Sequence, residues 1–181
     1  ISGQRAWTID WNDNGAIPVV NLIELWDAGP AAGYPAVADM DANGTPEVVL
    51  VANGEVRVPD GATGELWCGV DPTGAMCDAN PAARTQPIAL PGGGRGGPPT
   101  VADFDGDGRP EIGVAGQLDY TLFDLNRDEE EIVQPDGALP PAPGEIYPRW
   151  SNETLEDTFS QSTGSSVFDF QGDGVAEVLY N

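Results

Sequence analysis

The sequence predicts an all-β chain made of repeated units of four short antiparallel strands, and three observations predict it. One acidic nine-residue loop occurs three times, at residues 39–47, 103–111 and 169–177. The copies start 64 residues apart (39 to 103) and then 66 apart (103 to 169), the spacing of a repeated structural unit. Short β-branched apolar segments flank each copy, and no stretch of ten or more residues shows helical periodicity with caps.

The first 34 residues stand outside the repeat. Segments 5–10 and 17–26 are strand-like and apolar enough to need burial, and are expected to complete a sheet in this chain or in a neighbour. The repeats then run as 35–98, 99–164 and a partial third, 165–181. Residues 35–39, 99–103 and 165–169 read as the strand before each loop, and 47–51, 111–115 and 177–180 as the strand after it. The latter are apolar on both faces, as interior strands are, so each loop joins the two strands of a hairpin. Segments 54–67 and 118–126 alternate apolar and polar residues, and Asp60-Gly61 and residues 126–128 supply turns into a fourth strand. Four short strands per repeat make a propeller blade, and two blades and a fraction leave the ring incomplete or open. The Gly- and Pro-rich stretches 91–99 and 134–144 cannot continue strands and suit surface crossings between blades. Residues 152–159 come closest to a helix and read as loop or a single turn.

Composition narrows the class. Thirty acids against seven bases, all Arg, give a net charge of -23, which disfavours nucleic acid and anionic lipid as partners. Hydrophobic content of 40% with five Trp argues for a packed chain rather than acidic disorder. No apolar run reaches the ~18 residues that span a membrane. With neither an initiating Met nor a basic, apolar leader, the chain reads as a mature or excised piece. Cys68 and Cys77 bracket a Pro- and Gly-containing loop that can close as a small disulfide ring, fitting an oxidising compartment; two buried thiols are the alternative. Two Cys and no His argue against structural zinc.

The loops place oxygen side chains at positions 1, 3, 5 and 9 around a glycine at position 6, a pattern suited to Ca2+, a hard ion that takes six to eight oxygens at about 2.3–2.6 Å. The expected ligands are Asp39, Asp41, Asn43, the Thr45 carbonyl and Glu47 in the first loop. In the second they are Asp103, Asp105, Asp107, the Arg109 carbonyl and Glu111, and in the third Asp169, Gln171, Asp173, the Val175 carbonyl and Glu177. An EF-hand closes with Glu at position 12, but Leu50, Val114 and Tyr180 stand there, and the closing acid sits at position 9 at the head of a strand. Up to three Ca2+ would thus pin strand to strand, a structural role. Four carboxylates in the second loop against three in each of the others predict that it binds tightest. Two other acidic stretches lack the pattern: residues 10–15 read as a turn because Pro18 holds position 9, and residues 124–131 read as a solvated hairpin end.

Strand, Asp-x-Asp-Gly-Asp-Gly-x-x-Glu loop and strand, at this spacing, resembles the FG-GAP/VCBS family of calcium-binding β-propeller repeats and is similar to the blades of integrin α-subunit propellers. The resemblance covers about residues 33–181, and the segment 163–177 resembles repeats of large secreted bacterial proteins. It implies an extracellular or cell-surface propeller used for structure, adhesion or sugar binding. The sequence departs from the pattern in lacking the Phe-Gly start and in placing Gln171 where an acid or Asn is usual.

Without His there is no Ser-His or Cys-His dyad, and the carboxylates that would serve a glycosidase are explained as ligands, so the chain reads as non-catalytic. A structural or adhesive module is expected to work through its open sheet edges, on other protein chains or copies of itself, and to be able to assemble into a fibre or matrix. A lectin-like propeller is the alternative, with Trp67, Trp150 and Tyr147 as sugar platforms by residue type. Asn152 lies in a glycosylation sequon; Asn43 lies in another, where modification would conflict with its place as a ligand.

Overall fold

The computed structural model describes residues 33–40, 42, 44–64, 87–125, 146–153 and 164–180, together with the backbone of 5–12 and 19–27. Among the described residues every regular element is a strand. Strands β1 (Arg5–Asn12) and β2 (Val19–Asp27) pair with each other as an antiparallel two-stranded sheet with a bulge between Ala6 and Trp7. Within this chain the described N-terminal strands pair with each other alone. Asp10 to Asn12, expected in a turn, belong to β1.

The chain next forms a four-stranded sheet in the order β3-β4-β5-β6, from β3 (Tyr34–Ala38), β4 (Glu47–Ala52), β5 (Glu55–Arg57) and β6 (Ile88–Ala89). A second, antiparallel like the first, runs β10-β9-β8-β7, from β7 (Thr100–Ala102), β8 (Glu111–Ala115), β9 (Asp119–Leu125) and β10 (Ile146–Glu153). Strands β11 (Ser166–Phe168) and β12 (Glu177–Leu179) make a final two-stranded sheet. Asp60 supplies the expected turn after β5, its Oδ1 accepting the amides of Ala62 at 3.0 Å and Thr63 at 2.7 Å. Asn152 and Glu153 extend β10, where a loop or turn was expected.

β4 and β8 are buried almost throughout because both faces are apolar and each lies between two neighbours. β12 is not, for its sheet holds only two strands, so the expected interior strand at 177–180 is half-exposed. Val49, Val51, Val56, Val58 and Leu90 of the first sheet unit join Ile112, Val114, Phe123 and Ile146 of the second in one hydrophobic cluster. Segment 91–99 crosses between the sheets, and not wholly on the surface. Gly96 is buried at φ 80, and a Cβ there would lie 2.4 Å from Val51 Cγ1 and 2.7 Å from Leu90 Cδ1. Only a residue without a side chain permits that approach.

β7 contacts both β3 and β11. The β11–β12 hairpin is fastened to the second sheet by Ser165, whose Oγ meets Thr100 Oγ1 and, at 2.8 Å, Tyr120 OH. Tyr120 and Tyr180 pack ring on ring at 5.3 Å. Beyond this seat the hairpin exposes Phe168, Phe170 and Leu179. Phe123 is fully buried, so Phe123→Ala is expected to cost about 3–5 kcal/mol of stability in urea unfolding. Phe168→Ala, on the exposed hairpin, should stay within about 0.5 kcal/mol.

Candidate metal centre

All three loops share one hydrogen-bonded frame. The position-9 carboxylate accepts the position-2 amide: Glu47 Oε2 from Met40 N–H at 2.8 Å, Glu111 Oε2 from Phe104 N–H at 2.7 Å, and Glu177 Oε2 from Phe170 N–H at 2.7 Å. The position-1 carboxylate accepts the position-6 amide: Asp39 from Gly44 at 2.8 Å, Asp103 from Gly108 at 2.9 Å and Asp169 from Gly174 at 2.9 Å. The position-6 glycines stand at φ 88, 85 and 91, in the left-handed region that the turn demands. Position 4 is left-handed as well, held by Gly106 and Gly172 but by Ala42 at φ 58 in the first loop. Each loop closes back on the strand that follows it, and in the second and third loops the first carboxylate and the last come together.

Two acidic groups are thereby placed to hold a metal ion. Carboxylate oxygens of Asp103, Asp105 and Glu111 lie within 4.8 Å of one another, and so do those of Asp169, Asp173 and Glu177. The second loop carries the decisive detail: Glu111 is fully buried, and its Oε1 has no hydrogen-bond partner. A buried carboxylate oxygen left alone is costly, and a cation would satisfy it. An all-oxygen donor set suits a hard divalent ion rather than a thiophilic one. The residues present therefore fit such an ion.

Electrostatics agree. Burial pushes the Glu111 carboxyl up to about 8, with the charges of Asp105, Asp124 and Asp107 adding to the rise and the Phe104 amide opposing it. Asp105 is raised as well, chiefly by burial. In the exposed third loop the Gly174 amide, with those of Gly172, Asp173 and Gln171, holds Asp169 below its ordinary value.

Asp41 and Asn43 lie outside the described residues, as do Cys68, Cys77 and Trp67. Asp107 is not in the second group; its Oδ1 accepts the Arg109 amide at 2.8 Å. Gln171 turns its amide nitrogen to Glu177 Oε1 at 2.8 Å, presenting a donor where an oxygen ligand was expected. Thr45, Arg109 and Val175 occupy the expected loop position, with Thr45 exposed and the other two half-buried. Tyr147 is buried with its hydroxyl on Asp124 Oδ2 at 3.0 Å, and Trp150 packs 6.2 Å from Tyr120, so both pack within the second sheet. Asn152 is exposed at the end of β10.

The residue that sequence reasoning missed is Arg149. β10 pairs Pro148 with Phe123 and Trp150 with Leu122, leaving Arg149 as the extra residue of a bulge. A bulge re-aims a side chain, and Arg149 Nη1 reaches Asp105 Oδ2 and Asp124 Oδ2, both at 2.7 Å. Burial lowers its pKa, but the hydrogen bond to Asp124 and the charges of Asp124 and Asp105 outweigh that and raise it. Asp124, expected at a solvated hairpin end, is buried in this cluster. No local signal marks Arg149, since the bulge is a property of the β9–β10 register.

Comparison with protein-family models, with curated proteins and with solved structures found no significant match to this chain.

Two outcomes are expected. Because Glu111 titrates near its ordinary 4.5 when unfolded and near 8 when folded, the folded state holds the extra proton between those values. Stability of the metal-free chain should therefore fall as pH rises from about 5 to about 8. Thermal melts should show this slope, and Glu111→Gln should flatten it; equal slopes would refute the assignment. Ala42→Gly should relieve a left-handed alanine and raise stability by about 0.5–1 kcal/mol in the same melts.

Proposed function

We propose that this chain is a non-catalytic, calcium-stabilised extracellular repeat module that works through protein contacts. The carrying observation is the buried, half-satisfied Glu111 beside Asp103 and Asp105, at the head of an interior strand. The loop joins β7 to β8, so the role that fits a bound ion is that of a staple. Ca2+ fits best among hard ions because these loops offer carboxylates in flexible, irregular geometry, whereas Mg2+ demands a near-ideal octahedron. Calcium sites of extracellular modules hold the ion at about 10⁻⁴–10⁻³ M, matching calcium-rich surroundings.

The repetition of the same frame in three loops supports the propeller-like repeat that the sequence resembles. Each four-stranded sheet is then one blade and the β11–β12 hairpin the start of a third. The exposed Phe168, Phe170 and Leu179 supply an apolar face of the kind that protein partners, including further copies of the chain, cover. Three bound Ca2+ would bring the net charge from -23 to -17, easing the repulsion that opposes such contacts.

The test is calorimetry and thermal melting with Ca2+ and with EDTA. Ca2+ at tenfold its Kd should stabilise the chain by about 1.4 kcal/mol per site, EDTA should reverse it, and Glu111→Gln should remove the tightest site. A melt indifferent to both additions would sink the reading.

A further inference from the structure

The third loop departs from its sisters at position 8. Pro46 and Pro110 stand there in the first and second loops, and Ala176 in the third. Proline has no amide hydrogen to give. Ala176 has one, and donates it to the carbonyl oxygen of Asp103 at 2.8 Å. Asp103 opens the second acidic group, and Ala176 directly precedes Glu177, which closes the third. The loops also touch beside this bond, for a Cβ on Gly106 would lie 3.0 Å from Val175 Cγ2. One backbone hydrogen bond thus runs from the first ligand residue of one group to the neighbour of the last ligand residue of the other.

We infer that the second and third loops form a coupled pair of divalent-cation sites, with Ala176 as the positioning residue that links them. The inference rests on the calcium reading above. An ion that draws Asp103, Asp105 and Glu111 together fixes the backbone of Asp103. Its carbonyl then holds Ala176, and through the next residue it sets the approach of Glu177 to Asp169 and Asp173. The exposed third loop, with no buried orphan oxygen of its own, gains most from being pre-set in this way. Linkage makes the effect mutual: an ion in the third loop tightens the second by the same factor. Pro110 gives the second loop no such donor toward the first, so the first site stands outside the pair.

The experiment is Ca2+ calorimetry on the full chain carrying Glu47→Gln, so that only the second and third loops bind. Adding Glu177→Gln isolates the second site, and adding Glu111→Gln isolates the third. Each isolated site is expected to bind roughly fivefold or more weakly than it does when its neighbour is loaded. Ala176→Pro places in the third loop the residue that both sister loops hold, and puts a ring where the Asp103 carbonyl now sits. It should leave two sites whose affinities no longer depend on each other, while Ala176→Ser, which keeps the amide, should leave them coupled. Coupling that survives Ala176→Pro would overturn the link. Should Ala176→Pro fail to fold, hydrogen exchange at the Ala176 amide in the Glu177→Gln chain decides: slowing on Ca2+ addition supports the link, and an unchanged rate overturns it. If each Glu→Gln change removes one Ca2+ but leaves the remaining affinity unchanged, the coupling is wrong and the calcium reading stands. If neither change lowers the stoichiometry, the calcium reading fails and the coupling with it.

Discussion

A glutamate at the head of an inner strand reaches back across its own loop to accept the amide of the loop's second residue, and much of this architecture depends on that contact. In the first two units the glutamate is buried, Glu47 at 1% and Glu111 at 0% exposure. Burying a carboxylate is costly unless its oxygens are satisfied. The amide satisfies one oxygen, and the loop must satisfy the other from what it carries. The sharp turn, the two left-handed positions and the convergence of the first and last acids follow from closing a nine-residue loop over that buried group.

The same constraint separates the three loops. Glu111 heads an inner strand of a four-stranded sheet, fully buried and within reach of the charges of Asp105, Asp124 and Asp107, and Arg149 bonds the first two of these. Arg149 offsets part of that crowding, and can do so because the β10 bulge points it back at the loop. Glu177 belongs to a sheet of two strands and stays half-exposed, with Gln171 as an extra partner. Two loops alike at six of nine positions thus meet burial in one unit and solvent in another. Carboxylate count and burial both favour the second loop, for different physical reasons.

The two four-stranded sheets share one hydrophobic cluster, and smaller contacts at their edge strands add to it. β7 contacts both β3 and β11, Gly96 lets the connecting segment pass close to Val51 and Leu90, and Ser165 ties the last hairpin to Thr100 and Tyr120. At Gly96 the crossing runs against the Val51 and Leu90 side chains, an approach that a residue without a Cβ permits. Within the second sheet Tyr147 places its hydroxyl on Asp124, and Trp150 packs beside Tyr120.

The strands and loops were legible in the sequence because both signals are local. Alternation and apolar runs fix which residues pair, and the ligand spacing with its glycine recurs within nine residues. The strands flanking each loop, the turn at Asp60 and the convergence of Asp103, Asp105 and Glu111 all follow from such short-range patterns. What only the tertiary structure decided depends on residues far apart in the chain. The burial of Asp124 and the recruitment of Arg149 across 44 positions to Asp105 are of this kind. So is the meaning of Ala176, a single departure from proline whose amide matters only because the fold sets another loop's carbonyl in front of it. Sequence spacing states which groups are available to a loop; register, burial and the packing of one unit on the next decide which of them meet.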